Sequence, residues 1–126
     1  MDAIRILLVD DSVAFLKAAT TFLGGLAGVV VVGSATSAAQ GLAQAAALRP
    51  DLILVDVVMP GMNGLQLVQL IKKDPDAPKT VVVTLINSEV YRSSAMAAGA
   101  DGFIAKASLV AEIPPLLESL FPGRRP

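Results

Sequence analysis

Asp10 and Asp11 stand side by side at the end of the apolar run Ile6-Leu7-Leu8-Val9, with Ser12 next in line. Asp56 closes a second run, Leu52-Ile53-Leu54-Val55. Thr84 closes a third, Val81-Val82-Val83, and Lys106 a fourth, Phe103-Ile104-Ala105. Taken singly, each has an ordinary reading. Asp10, Asp11 or Ser12 can cap a helix, Asp56 can end a strand, Thr84 suits strand propensity, and Lys106 suits a solvated surface. Their joint position points to chemistry. Three carboxylates brought together cannot all stay ionised without positive charge beside them. Lys106 supplies one charge, and a divalent cation would supply the rest. The chain contains no Cys and no His, so oxygen would have to hold that ion, which favours a hard cation such as Mg²⁺. A carboxylate can also attack phosphorus to give an acyl phosphate, a transfer that needs positioning and charge neutralisation above all. The expectation is a Mg²⁺ cup made by the acidic doublet, with Asp56 opposite it as the group that takes a phosphoryl.

For these residues to meet, the runs that carry them must be neighbouring strands. Ile4–Val9, Val29–Val32, Leu52–Val55, Val81–Val83 and Phe103–Ala105 are short and, Arg5 apart, continuously apolar, as in parallel strands covered on both faces. Helix-compatible segments lie between them. Val13–Leu23 stops at the pair Gly24-Gly25, and Ala38–Leu48 stops short of Pro50. Leu65–Lys73 follows Asn63-Gly64, and Ser88–Ala98 ends at Gly99, a natural left-handed cap. Pro114-Pro115 breaks the last pattern, so a turn is expected after Ser108 and a regular helix over Pro114–Leu120. Strand and helix alternate five times, which predicts an α/β fold: a (βα)₅ doubly wound parallel sheet with right-handed crossovers. In such a sheet ligands bind at the carboxyl edge. If the first strand lies beside the third, and the fifth beyond the fourth, all the polar strand ends face one crevice.

At 126 residues the chain is read as one domain over residues 1–121, with 122–126 a short tail and no output domain. A net charge of −1 gives no basic surface for nucleic acid. Hydrophobic content of 54% and a mean hydropathy of +0.67 raise a membrane reading, since no charge interrupts Ala18 to Leu48. A helix, a Gly-Gly turn and a buried strand explain that stretch better, because the other apolar runs are strand-length and regularly spaced. Asp2, Arg5, Asp10 and Asp11 interrupt any signal-peptide core. The expected location is cytoplasmic, without membrane insertion.

"LLVDDS", "DLILVDVVMPGMNG", "VVVTL" and "AAGADGFIAK" fall in order over residues 4–120, and Asp56-xx-Met59-Pro60-xxx-Gly64 is the most specific piece. In these the chain resembles the receiver domains of two-component response regulators, of the single-domain chemotaxis-regulator type. The resemblance implies a flavodoxin-like sheet of order 2-1-3-4-5. It implies that Asp56 is the phosphoacceptor, Asp11 a direct metal ligand, Asp10 the holder of metal-bound water, and the Val58 backbone carbonyl a third protein ligand for Mg²⁺. Lys106 matches the lysine that pairs with a phosphoryl oxygen, Thr84 the switch hydroxyl and Phe103 the switch aromatic. The implied partners are a histidine kinase as phosphodonor and a downstream protein that reads the face made by the fourth helix, fifth strand and fifth helix, the chain being a monomer or weak dimer and not an enzyme. The alternative is a receiver-shaped binding module that acts without phosphorylation. A Mg²⁺ phosphohydrolase is disfavoured because Val58 stands where such enzymes commonly place a second acid.

The chain departs from the family pattern in four places. Ala107 follows Lys106 where a cis proline is usual; a cis bond to Ala costs about 3–4 kcal/mol, so a trans bond is expected. Leu85 is bulky where a small residue is usual, and would narrow access to Asp56. Val58 and Ile86 are apolar where polar groups often help water attack, which predicts slow phosphoryl loss. Pro114-Pro115 alters the output face.

Overall fold

A computed structural model describes residues 3–59, 63–85 and 89–123. Five parallel strands, β1 (Ile4–Val9), β2 (Val29–Ala35), β3 (Leu52–Val55), β4 (Lys79–Thr84) and β5 (Gly102–Ala105), form one sheet of order β2-β1-β3-β4-β5. Helices α1 (Val13–Gly24), α2 (Ala38–Leu48), α3 (Gly64–Ile71), α4 (Glu89–Ala97) and α5 (Leu109–Leu120) alternate with them. This is the doubly wound fold that the alternation of runs predicts, in the flavodoxin-like strand order that the resemblance implies.

Side-chain alternation along each strand splits the core in two. Ile4, Ile6, Leu8, Leu52, Leu54, Val81, Val83 and Ile104 pack with Leu16, Leu23, Leu109, Ile113 and Leu117 of α1 and α5. Leu7, Val9, Ile53 and Val55 face α2 and α3, where they meet Ala38, Leu67 and Ile71. Val82 and Phe103 meet Val68 and Ala95 of α3 and α4. Both faces are covered, which is why the strands carry largely apolar runs, complete in β3.

Most boundaries follow the sequence signals. α2 has the expected span and ends at Arg49, whose left-handed φ of 49° turns the chain before Pro50. Gly99 takes the left-handed cap after α4, with φ 105°; Ser88, the expected first residue of that helix, lies outside the described residues. The uncharged stretch from Ala18 resolves into the end of α1, a turn and β2, and no helix among the described residues is long and apolar enough to cross a membrane.

Two expectations need correction. β2 does not stop at Val32. It bulges against β1 between Ile6 and Leu7 and runs on through Gly33 to Ala35. A Cβ on Gly33 would sit 2.6 Å from Gln44 Oε1 and 2.9 Å from Leu48 Cδ1, so this glycine marks the close approach of α2 rather than a turn. The second correction concerns α5, which does not wait for Pro114. It starts at Leu109, after a 3₁₀ turn over Lys106–Ser108, and passes through both prolines. Leu109, Ile113 and Leu117, spaced four apart, are all buried in the α1/α5 core. Burying each stabilises by about 1.5–3 kcal/mol, enough to offset backbone bonds lost at prolines that lie away from the core.

Candidate functional site

Register decides which strand ends meet. Val9 of β1 pairs with Val55 of β3, so Asp10 and Asp56 emerge side by side, and the Asp56 N–H donates to the Val9 carbonyl at 2.9 Å. Thr84, the last residue of β4, pairs with Ala105 of β5, which brings Lys106 onto the same edge. Asp10, Asp11 and Asp56 each offer a carboxylate oxygen within 4.8 Å of the other two. Asp10 and Asp56 are buried while Asp11 is exposed at the mouth. Lys106 Nζ lies 2.7 Å from Asp10 Oδ2 and 3.3 Å from Asp56 Oδ2. Asp11, Ser12, Asp56, Val58, Thr84, Leu85 and Lys106 line an open cleft of about 290 Å³. A larger cavity of about 450 Å³ lies elsewhere, lined by α2, Arg49–Asp51 and the end of α3, and holds none of these residues.

Local hydrogen bonds fix the cluster. Asp10 Oδ1 accepts from the Ser12 N–H at 2.8 Å, and Ser12 Oγ caps α1 by accepting from the Phe15 N–H at 3.2 Å. Ser12 is thus the helix cap, while Asp10 turns its second carboxylate oxygen to Lys106 and Asp11 lines the cleft. Asp56 Oδ1 accepts from the Val58 N–H at 3.1 Å. Beyond the loop, Asn63 and Gln66 form a capping box on α3, and the Gly64 N–H donates to the Val57 carbonyl at 3.1 Å. Burial pushes the Asp56 carboxyl above the usual carboxylate range. The Asp10 carboxylate adds to this, while the Val58 N–H and the Lys106 ammonium oppose without cancelling it. Burial works to lower the pKa of Lys106, but its two carboxylate neighbours outweigh burial and hold the ammonium above its ordinary value.

Thr84 is buried at the cleft. Phe103 does not line the cleft; it is buried beneath α4, with the Arg92 guanidinium 4.8 Å from its ring centre. The Lys106–Ala107 bond is trans, as expected, since the described residues contain no cis peptide. Leu85 lines the cleft yet is 81% exposed, so its bulk stands at the rim instead of plugging the opening. Ile86 lies outside the described residues. The sequence reading missed Phe15, whose ring centre is 4.3 Å from Lys106 Nζ. The available signal was an aromatic residue in the first turn of the helix that follows the acidic doublet.

The profile of the response regulator receiver domain matches residues 6–118. The chain belongs to this family. It is 36% identical over 123 residues to the response regulator GacA of Pseudomonas viridiflava, covering 97% of this chain and 57% of that protein. This receiver domain thus spans little more than half the length of that relative. Among solved structures it is similar to the signal receiver domain of the putative response regulator NarL from Mycobacterium tuberculosis. The TM-score is 0.87 at 27% identity, over 95% of this chain and 98% of that one. It is also similar to the chemotaxis protein CheY4 of Vibrio cholerae, with a TM-score of 0.84 at 26% identity over 96% and 100% of the two chains. Membership of this family is consistent with phosphorylation-dependent signalling; receiver domains bind Mg²⁺ at an acidic pocket, and this chain carries a cluster of three aspartates.

Proposed function

We propose that this receiver domain is a switch set by phosphorylation of Asp56, not a turnover catalyst. A histidine kinase presents a phosphohistidine; a P–O bond forms to the Asp56 carboxylate, the P–N bond breaks, and the leaving imidazole nitrogen takes up a proton. The observation that carries this reading is the meeting of Asp10, Asp11 and Asp56 within 4.8 Å, with Lys106 against two of them. An all-oxygen donor set suits Mg²⁺, and Asp10, Asp11, Asp56 and the Val58 backbone carbonyl would hold it. When bound, the ion neutralises charge on the phosphoryl oxygens. Lys106 would pair with one of those oxygens. Positive charge matters to the nucleophile as well, because burial favours protonated Asp56 and a protonated carboxyl cannot attack.

The phosphoryl group adds charge and strong acceptors at the edge. Thr84 turns toward it, and Phe103, on the neighbouring strand, turns into the space released. That motion takes the ring from under Arg92 and biases the packing of the α4-β5-α5 face, which a downstream protein reads. Val58 and Leu85 present apolar surface around the cleft and give an attacking water no polar guide, so the phosphoryl group is lost slowly; a half-life of seconds after pulse labelling contradicts this. The switch is tested with a beryllium-fluoride phosphoryl mimic and Mg²⁺. NMR shifts are expected at Thr84, Phe103 and Arg92, and an unchanged spectrum there rules the switch out.

A further inference from the structure

Lys106 stands between two kinds of partner. On one side are the carboxylates of Asp10 and Asp56; on the other is the face of Phe15. The geometry points to Phe15 as a positioning residue of the site, whose ring holds the Lys106 ammonium level with the acidic cluster. This rests on the reading that Lys106 serves a phosphoryl group at Asp56.

The contact follows from the fold. Ile104 faces the α1/α5 core, and Lys106, two residues on, leaves the strand toward the same side. α1 covers that side, and its start is pinned there: Asp10 accepts from the Ser12 N–H, and Ser12 accepts from the Phe15 N–H. One acidic residue therefore meets Lys106 directly and, through the helix cap, brings an aromatic face to it. Lys106 has a long, rotamer-rich side chain, which the two carboxylates hold only at its tip. With the Lys106 side chain only 9% exposed, a ring quadrupole attracts the ammonium more strongly than it would in water. Phe15 also packs against the α1/α5 core, so the competing role is apolar filling alone.

Phe15→Leu keeps apolar bulk and removes the quadrupole, whereas Phe15→Tyr keeps both. Each is made with Lys106 present and with Lys106→Met, and phosphorylation by acetyl phosphate with Mg²⁺ is followed by intact mass. Phe15→Leu should slow labelling about three- to tenfold at saturating donor, the size of one cation–π contact, with the half-saturating donor concentration unchanged. Phe15→Tyr should stay within about twofold of wild type, and Phe15→Leu should add no further loss once Lys106 is Met. The inference is overturned if Phe15→Leu labels at the wild-type rate, if Tyr loses as much as Leu, or if the loss persists with Lys106→Met. Thermal denaturation of the same proteins in EDTA, with no donor present, separates this inference from the proposed function. Non-additive effects of Phe15→Leu and Lys106→Met support the contact even if no variant accepts phosphoryl, and additive effects refute it.

Discussion

Gly64→Ala is the sharpest structural perturbation available, because Gly64 holds the loop after Asp56 against the start of α3. A Cβ added there would lie 1.9 Å from the Asp56 carbonyl oxygen, 2.7 Å from its carbon and 2.9 Å from the Val57 Cα. All three are backbone atoms, so no side-chain rotation relieves the clash, and the two segments must part by roughly 1 Å. Overpacking usually costs about 1–3 kcal/mol when side chains can adjust. Here the expected loss is at least about 3 kcal/mol, or more than about 10 °C in Tm for a domain of this size. Circular dichroism during urea and thermal unfolding reads this directly, which suits a chain with no Trp. Gly24→Ala is the control: nothing lies within 4 Å of its added Cβ, so it should stay within about 1 kcal/mol of wild type. If Gly64→Ala unfolds within about 1 kcal/mol of wild type, the tight apposition of α3 and Asp56 is wrong.

Asp56→Asn should stabilise the metal-free protein at neutral pH, since a buried carboxyl with a raised pKa favours folding only while it is protonated. As pH rises from the ordinary carboxylate value of 3.8 through the higher folded value, wild type loses that contribution and the amide does not. The stability gain of Asp56→Asn in EDTA should therefore grow with pH over that window; a gain that shrinks instead contradicts the placement of Asp56. Pro115→Ala should raise stability by about 1–3 kcal/mol, because it restores a backbone donor in the interior of α5 at an exposed position. A loss on urea unfolding would mean that α5 does not run through the prolines.

The strands were legible because a strand covered on both faces is apolar almost throughout: Leu52–Val55 is so without interruption, and Ile4–Val9 with only the half-buried Arg5 breaking it. The acidic cluster was legible for a related reason. Charged residues that directly follow such strands can only stand at the carboxyl edge, and the parallel order then brings them together. What local sequence hid was decided by tertiary packing. The second run reads as ending at Val32, before Gly33, until α2 is seen pressing on that glycine within a longer β2. Pro114-Pro115 reads as a helix start until Leu109 and Ile113 are seen in the core ahead of and beside it. Phe15 reads as one more apolar residue of α1, since its contact with Lys106 joins residues far apart in the chain and depends on which side of β5 the lysine leaves.

The central claim is that the gathered carboxylates exist to place a phosphoryl group on Asp56. Incubating the protein with acetyl phosphate and Mg²⁺, and weighing it intact beside Asp56→Ala, tests that claim most directly. Wild type should gain the mass of one phosphoryl group only when Mg²⁺ is present, and Asp56→Ala should gain none. An unmodified wild type, or an Asp56→Ala protein that gains the same mass, would contradict the account.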